Sequence, residues 1–494
     1  MDLIRPAALA GKLALAAAGA VATALALLLA ADAGAAWIGL VVIAPLAIAV
    51  VLWSADAKTL LLQATVVTMT IDITKSVIPV AERYSPGLAV SLSDLFLAGY
   101  VLLWALDKVL VRGARAGTHP LVKLGFLYTC FLWLSAAWAD YPFGAAMFAV
   151  SHTKYFLLFA VVANDVRSMR QLRAVLCAVA VALVLNVAMA LLQRAAGTPL
   201  MLQGAKIATV GSELVFGESG LTAFRPGGFM QHPLALAGFL ILVLPGLLAL
   251  ALLGRQALGR TLWPALGLLA GALAALVLTL SRGGWISLGV AAAFVVVMML
   301  RARLIRLRHV ALLAAGLVAF LAIAASVYPS AVQRLYAEDA GSTESRRILM
   351  DQARLVVQAD PFLGVGLAGY RDAARNAIPE SLAGLHAAQG EVLRQELVHN
   401  KYLLVAAESG VVGLVLFCYL LWRTLKVFFR THSWRGAAHY ALGVGITAGL
   451  LAQAVFYLFD HVYLDVRIQL FWLAAALLVA LARLQPDSRP QAMG

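Results

Sequence analysis

The chain has 494 residues, of which 63% are hydrophobic and 13% are charged, with a formal net charge of +14. Soluble domains carry about 25% charged residues, and apolar runs long enough to cross a bilayer recur throughout this chain, so a set of soluble domains is excluded. The basic residues lie in short connectors, as the positive-inside rule expects of a membrane protein, so nucleic-acid binding is not indicated.

The apolar runs predict an all-α polytopic membrane protein with about 12–14 transmembrane helices. The N-terminus resembles a cleavable signal peptide, but its apolar stretch is long for one, and we interpret it as an uncleaved first helix. The candidate spans, of which the third is short, are 13–30, 37–53, 59–73, 93–111, 120–138, 146–163, 174–192, 233–253, 262–280, 285–300, 310–328, 401–422, 437–459 and 464–482.

Arginine and lysine concentrate in alternate connectors, which assigns these connectors to the cytoplasm. They include Lys108, Arg112, Arg115, Lys123, Arg167, Arg170, Arg173, Arg255, Arg260, Arg301, Arg303, Arg306, Arg308, Arg423, Lys426, Arg430 and Arg435. Both termini are then cytoplasmic. The predicted units are transmembrane helices in 1–328 with an outer loop at 193–232, a large outer loop at 329–400, and C-terminal transmembrane helices in 401–494.

The sequence indicates neither a metal site nor a cofactor. Cys130, Cys177 and Cys418 all lie within apolar runs, so they form no disulfide framework, and we interpret them as small core residues. No His-x-x-x-His pattern and no clustered set of carboxylates indicates a metal ion.

The polar interval from Tyr328 to Asn400 is the longest break between apolar runs. It holds nine of the 24 acidic residues of the chain, interleaved with arginines. Within it we predict short helices near 344–359 and 386–397. A polar module of this size can fold over a membrane face and contribute to a site.

Two arginines of outer connectors each precede a pair of glycines. Arg225 stands shortly before a predicted helix, and its glycines allow backbone N–H groups to approach a ligand. Arginine suits bidentate phosphate recognition, although a turn with an interfacial arginine gives the same pattern. Arg282 lies in so short a connector that it pairs, lines a polar cavity or anchors the helix at the interface. His232, before a proline, is more typical of a turn than of a ligand.

The predicted helix at 344–359 carries Arg346 and Arg347 in its first turn. Positive charge is unfavourable at a helix N-terminus, so we expect at least one of the two arginines to contact an anion, either a loop carboxylate or a substrate phosphate. The helix is amphipathic. Its apolar face consists of Ile348, Leu349, Ala353, Val356 and Val357.

His399 ends the polar interval, next to Asn400, which is a good helix N-cap. This place at the water–membrane boundary suits a general base, although a lone histidine is more often a structural residue. Glu408 lies inside the following apolar run, where a carboxylate is functional or paired. Its candidate partners are Arg282 and Arg467.

A second polar group, Asp460-His461 with Asp465, stands at a later outer connector. It either lines the same cavity or marks the interface. Arginines and one histidine on the outer face together indicate a cationic cavity with a general base. Such a cavity fits a reaction on a membrane-bound phosphate ester or pyrophosphate.

At these residues the chain resembles the O-antigen ligase / Wzy-type polysaccharide polymerase superfamily of bacterial inner-membrane proteins. The motifs cover about residues 190–425. Two departures are Met350, where the family often has tryptophan, and Arg347 beside Arg346, which leaves open which arginine matches. The motifs are Arg225-Pro226-Gly227-Gly228-Phe229 with His232-Pro233, Ser281-Arg282-Gly283-Gly284-Trp285, Ser345-Arg346 with Pro361-Phe362-Leu363-Gly364-Val365-Gly366, and His399-Asn400-Lys401-Tyr402-Leu403 with Glu408-Ser409-Gly410.

The resemblance implies a metal-independent, inverting glycosyltransferase with a GT-C-like helical frame in the inner membrane and its outer loops in the periplasm. The implied partners are an undecaprenyl-pyrophosphate-linked glycan donor, a glycan or lipid-linked acceptor, the bilayer and a chain-length regulator. The resemblance implies His399 as the base and Arg225 and Arg346 as ligands of the pyrophosphate. From their positions in the chain we add Arg282 as a further candidate pyrophosphate ligand, and Arg347, Glu408 and His461 as candidate supporting residues.

Three functions remain open from the sequence. A polymerase of O-antigen or exopolysaccharide repeat units is slightly favoured by the chain length and by the form of the motif at Arg282. A ligase would transfer the glycan to lipid A–core. A flippase or other transporter of lipid-linked oligosaccharides would need alternating access and no catalytic base, and we see no two-halves repeat of the kind common in transporters.

Overall fold

The computed structural model of the protein describes residues 56–78, 88–110, 119–200, 213–216, 221–336, 342–379, 396–431, 434, 436–462 and 466–484. In these parts the chain is a bundle of long helices with two short β-ribbons. The predicted spans at 13–30 and 37–53, and the N-terminus interpreted as an uncleaved helix, lie outside the described residues. So does the predicted loop helix at 386–397, apart from its last two residues.

The helices follow the predicted apolar runs closely. They are α1 (Ala57–Thr68), α2 (Leu92–Leu110), α3 (Pro120–Ser135), α4 (Pro142–Asp165), α5 (Met169–Ala196), α6 (Pro233–Leu253), α7 (Arg255–Leu258), α8 (Leu262–Leu278), α9 (Arg282–Arg301), α10 (Leu307–Val327), α11 (Pro329–Tyr336), α12 (Ser342–Ala359), α13 (Tyr370–Asn376), α14 (Lys401–Arg430), α15 (Ala437–Phe456) and α16 (Val466–Arg483).

Nine helical segments in the described part of the chain are long and apolar enough to cross a membrane, which confirms the all-α polytopic class. Two further helices, α2 and α16, have 19 and 18 residues and are therefore about as long as the shorter of these nine segments. The predicted third span is only the 12 residues of α1. At about 1.5 Å per residue α1 is shorter than the hydrocarbon core of a bilayer, which agrees with its place as the short candidate among the predicted spans.

The two β-ribbons were not predicted. β1 (Thr74–Ile78) pairs antiparallel with β2 (Leu88–Ser91), and β3 (Glu213–Phe216) pairs antiparallel with β4 (Leu221–Phe224). Each ribbon lies in a connector between helices, so the helical class of the protein is unchanged. The second ribbon ends at Phe224, directly before Arg225. It therefore fixes the position at which the turn that carries Arg225 begins.

The helices α6 and α15 pack closely at glycines, and this contact brings two distant connectors together. A Cβ atom on Gly445 would lie 2.4 Å from the Cα of Gly246, and one on Gly449 would lie 2.1 Å from the carbonyl oxygen of Leu242. Small residues four apart let membrane helices approach in this way. The connector before α6 and the connector after α15 therefore meet at the same end of the bundle.

The cysteines lie on outward surfaces. Cys130, Cys177 and Cys418 are free and exposed, so their interpretation as core residues was wrong. In a membrane helix the lipid-facing surface is as apolar as the interior, and an apolar run does not tell the two surfaces apart.

The helix α14 is interrupted at Gly410, whose backbone (φ 60°, ψ −169°) is non-helical. Residues 361–366 of the polar interval lie against this break. Val365 N donates to the carbonyl oxygen of Ala407 and Val411 N donates to that of Pro361, both at 2.9 Å. The break therefore frees backbone groups that the polar interval then satisfies.

We expect Gly410→Ala to destabilise the protein by about 3 kcal/mol or more, because its φ and ψ are accessible only to glycine. A Cβ there would also lie 2.1 Å from the carbonyl oxygen of Phe362. Thermal unfolding in detergent measures the effect. Gly267→Ala is the matched control, since nothing lies within 4 Å of its added Cβ. Equal melting temperatures for the two variants would contradict the docking of this segment.

Candidate active site

Arg225 lies in the turn that joins β4 to α6, and the residue that follows α8 holds its side chain in place. Its Nε donates to the carbonyl oxygen of Thr279 at 2.8 Å, and only 9% of the residue is exposed. Burial, and then the charge of Arg346, lower the pKa of Arg225 to about 10. The guanidinium stays charged at neutral pH, so its charge is buried close to another arginine.

The glycines after Arg225 serve a different purpose from the one we expected. Gly227 N and Gly228 N donate to Gln193 Oε1 at 3.1 and 2.9 Å, and Phe229 N donates to Asn186 Oδ1 at 3.1 Å. These N–H groups are used by α5 rather than turned toward a ligand. Gly228 has a positive φ of 61°, and the turn therefore needs glycine to present Arg225 from a rigid support.

Arg282 opens α9, and Ser281 caps this helix by accepting a hydrogen bond from Gly284 N at 3.1 Å. The next residue, Gly283, packs on Phe459, since a Cβ there would lie 2.7 Å from the Cβ of Phe459. Phe459 directly precedes Asp460. The lack of a side chain at Gly283 thus lets the start of α9 approach the connector that carries Asp460.

Arg346 extends from α12 toward the same place. Ile348, Leu349, Ala353 and Val356 of this helix are buried, as its amphipathic pattern predicts. Burial, and then the charge of Arg282, lower the pKa of Arg346, while Asp460 acts in the opposite direction. Arg347 is exposed, whereas Arg346 is half-buried.

The residues that follow His399 in the chain make the hydrogen bonds that fix its position. Asn400 caps α14 by accepting from Leu403 N at 3.0 Å. Lys401 N donates to the carbonyl oxygen of Tyr457 at 2.8 Å. The start of α14 is thereby fixed to the end of α15, and His399 faces the connector that follows α15.

The ring of His399 meets that of His461 edge to face, with centroids 5.3 Å apart and an angle of 85° between the planes. Its Nε2 lies 4.0 Å from Glu396 Oε2. The buried Nδ1 has no hydrogen-bond partner among the described residues. Burial first, then His461, lower the pKa of His399 to about 4, with smaller contributions of the same sign from Arg346 and His232 and an opposing one from Asp460. His399 is therefore neutral at pH 7 and can accept a proton.

Asp460 is fully buried between two basic groups. Its carboxylate forms an ion pair with Arg467 and lies 2.9 Å from His461 Nδ1. Burial alone would raise the pKa of Asp460, but Arg467 and His461 outweigh it and hold the pKa well below its usual range. The sequence singled out Asp460-His461 as a second polar group, and the structure brings this group against His399.

We call Arg225, Arg282, Arg346, His399, Asp460 and His461 the arginine–histidine cluster. The helix α9 begins at Arg282 of this cluster and α14 begins two residues after His399. The N-terminus of a helix carries a partial positive charge and attracts anions. With three arginines and one buried carboxylate that already has basic partners, the cluster is built to receive a polyanion.

His399, Asp460 and His461 also have the geometry of a candidate metal site, because their ligand atoms lie within 4.8 Å of one another. However, Arg467 and His461 occupy the carboxylate of Asp460, and Arg346 adds positive charge at His399. A divalent cation would have to displace these contacts and enter a positive field. The donor set therefore fits a metal ion poorly.

Glu408 lies near Tyr128 and Tyr370 rather than in the arginine–histidine cluster. It is buried in α14, two turns beyond Lys401, and its charge acts on Tyr128 and Tyr370. Arg467, one of its two candidate partners from the sequence, is paired with Asp460.

Four further residues around Arg225 were not predicted as part of the site. Tyr328 OH donates to the carbonyl oxygen of Phe224 at 3.2 Å, and the guanidinium of Arg194 lies 4.8 Å from the Tyr328 ring. Asn186 and Gln193 form the support described above. These two residues are seven apart on an apolar helix and so share one face, which is the pattern that could have revealed them.

Comparison with known proteins gives one match to a family model. Residues 265–418 match the model Wzy_C, described as O-Antigen ligase. The matched segment includes Arg282, Arg346 and His399, while Arg225 precedes it and Asp460 and His461 follow it. A search of curated proteins gave no match.

Proposed function

Since this chain belongs, through residues 265–418, to the O-antigen ligase/Wzy superfamily, we propose that it is a membrane glycosyltransferase of O-antigen or exopolysaccharide assembly. It moves a glycan from undecaprenyl pyrophosphate to an acceptor hydroxyl at the periplasmic face of the inner membrane. Both termini lie in the cytoplasm in this proposal. The observation that carries it is the neutral His399 beside a group of partly or fully buried arginines.

The arginines receive the leaving group. As the bond between the anomeric carbon and the pyrophosphate oxygen breaks, negative charge develops on the pyrophosphate. Preorganised guanidinium groups in a site of low dielectric stabilise such charge strongly. Arg225 and Arg346 are buried enough to influence each other, and binding of the anion relieves this repulsion.

His399 is the base of the proposed reaction. A lone pair of the acceptor oxygen attacks the anomeric carbon while the hydroxyl proton passes to the free nitrogen of His399, and the pyrophosphate leaves with the bonding electron pair from the opposite side. This single displacement inverts the anomeric configuration. Asp460 and His461 lie against His399 and support its orientation. Holding both substrates at the interface lowers the entropic barrier.

The proposed reaction needs no metal ion. We expect EDTA to leave the rate of glycan transfer unchanged within about twofold, because Arg467 already neutralises Asp460 and arginines supply the positive charge for the leaving group. The measurement is transfer by the purified protein after treatment with EDTA and gel filtration. A loss of activity that a divalent cation restores would assign the metal geometry of His399, Asp460 and His461 to the reaction.

Polymerase and ligase share this chemistry and differ in the acceptor. Our first proposal remains a polymerase, whose acceptor is another lipid-linked glycan. The description of the matched family model favours the second candidate, a ligase that transfers the glycan to lipid A–core. Deletion of the gene separates them: surface glycans limited to single repeat units indicate a polymerase, and full-length glycan stranded on undecaprenyl pyrophosphate indicates a ligase.

The decisive test of the activity is glycan transfer by the protein purified in detergent, with donor and acceptor supplied and no membrane gradient. We expect a longer glycan or a glycosylated acceptor together with released undecaprenyl pyrophosphate. A protein that binds the donor but forms no product with either acceptor would favour the transporter instead.

A further inference from the structure

A second concentration of arginines lies at the opposite end of the bundle from the arginine–histidine cluster. Arg423 and Arg430 are in the last turns of α14, about 30 Å or more along the helix from Lys401. Arg483 ends α16, whose first residues lie beside Asp460. His119 precedes α3. None of these residues contributes to the proposed transfer site.

These four residues line one cavity of about 390 Å³, together with Leu121 and Thr431. The size falls in the range of small-ligand sites. We call it the basic pocket and define it by His119, Arg423, Arg430 and Arg483. No carboxylate is among the described residues that line it. Three arginines thus line a common space, of which Arg423 is half-buried and Arg430 and Arg483 are exposed.

The arginines of α14 face this space because of their spacing. Arg423, Val427 and Arg430 are four and three residues apart and therefore lie on one face of the helix. Contacts on their own helix orient Arg423, since its Nη1 donates to Tyr419 OH at 2.8 Å and its guanidinium lies 5.6 Å from that ring. Arg483 Nη1 donates to the carbonyl oxygen of Ala163 at 2.8 Å. The pocket is thus partly preorganised.

The pKa of His119 also reflects the positive charge of the pocket arginines. Its Nδ1 accepts a hydrogen bond from Leu121 N at 3.2 Å and caps α3. Burial first, then Arg483 and Arg423, lower the pKa of His119 to about 4. The residue is neutral at physiological pH, so the charge of the pocket resides in its arginines. Guanidinium groups bind phosphate bidentately, and basic pockets between membrane helices bind anionic head groups.

We propose that the basic pocket binds a phosphate group, carried by an anionic phospholipid of the adjoining leaflet or present as free phosphate. The phosphate would bridge the ends of α3, α14 and α16 on the side of the membrane away from the transfer site. This proposal is independent of the glycosyltransferase function, because no residue of the arginine–histidine cluster takes part in it.

The test compares the purified full-length protein in phosphatidylcholine nanodiscs with and without phosphatidylglycerol. Native mass spectrometry measures retained phosphatidylglycerol. We expect R423Q/R430Q to bind it at least about 10-fold more weakly than the wild type, and R423K/R430K to lose less because the charge remains. R301Q/R308Q is the matched control: it removes two exposed arginines at the same end of the bundle but outside the pocket. A loss in R423Q/R430Q no larger than in R301Q/R308Q overturns the proposal.

Inorganic phosphate, added in detergent, distinguishes the two sources. Thermal stabilisation by phosphate that is lost in R423Q/R430Q and kept in R346A identifies free phosphate as a ligand of the basic pocket. No such stabilisation, with selective retention of phosphatidylglycerol, identifies the lipid. The proposal fails if neither ligand distinguishes R423Q/R430Q from the wild type. Unfolding in phosphatidylcholine alone verifies that the variants fold.

Discussion

His399→Ala is expected to reduce glycan transfer by about 10²–10⁴-fold, the range that a general base contributes. The protein should still fold, since the neighbouring hydrogen bonds that fix the start of α14 involve Asn400 and Lys401 rather than His399. It should also still bind pyrophosphate through its arginines. The measurement is the single-turnover rate with purified donor and acceptor, alongside thermal stabilisation by pyrophosphate.

The pH profile gives the same prediction a second readout. His399 must be neutral to accept a proton, and its pKa in the free protein is lowered to about 4. Its protonation therefore limits kcat/KM only as the pH falls toward about 4. Bound pyrophosphate brings negative charge and raises the pKa of His399. We expect the acidic limb of kcat at a higher pH than that of kcat/KM.

The control for this prediction is His309→Ala. His309 is partly exposed near the start of α10, at the opposite end of the bundle, and its replacement should leave transfer unchanged. Near-normal transfer by the His399→Ala protein would remove His399 as the base. In that case the acidic limb attributed to it would also persist in the variant.

Arg225→Ala and Arg346→Ala are each expected to lower kcat/KM for the donor by about 10²–10³-fold, as the loss of one preorganised donor does at other sites of developing charge. Lysine should restore little of the activity, because it offers a point charge in place of the planar, bidentate guanidinium. Inhibition by free pyrophosphate measures the binding part of the loss. Melting temperatures check that Arg225→Ala, which loses the bond to Thr279, still folds.

Two arginines of the same helix serve as controls for Arg346. Arg347 is exposed, and Arg354 is paired with Asp351 at 2.8 Å on the outer face of α12. Their replacement by alanine should change transfer by less than about threefold, since exposed pairs contribute little. If Arg346→Ala kept its activity and Arg347→Ala lost it, the ligand of the pyrophosphate would be Arg347 rather than Arg346.

The membrane helices could be predicted from the sequence because their signal is local. The bounds of α6, Pro233–Leu253, coincide with the predicted run, since Pro233 favours the first turn and the apolar residues continue to Gly254. The helix α12 followed from its amphipathic period for the same reason. The short α1 shows the limit, since an apolar run gives no sign of where a helix stops without a cap.

The candidate site depends on contacts between distant segments, which no local pattern encodes. Asp460 reaches His399 because Lys401 N bonds to Tyr457 and because α15 packs on α6 at Gly445 and Gly449. Gln193 supports the turn of Arg225 from a separate helix. Residue type and side of the membrane were enough to predict arginines and a histidine as site residues. Which residues contact them depends on tertiary packing and could not be predicted.

The break at Gly410 has a mechanical consequence. The segment that follows α12 is hydrogen-bonded to α14 at Ala407 and Val411, and His399 stands two residues before the same helix. The helix α12, which carries Arg346, and the residue His399 are thus each connected to α14, the first through these hydrogen bonds and the second along the chain. In the proposed reaction we therefore expect the spacing between His399 and Arg346 to be set by the fold before the substrates bind.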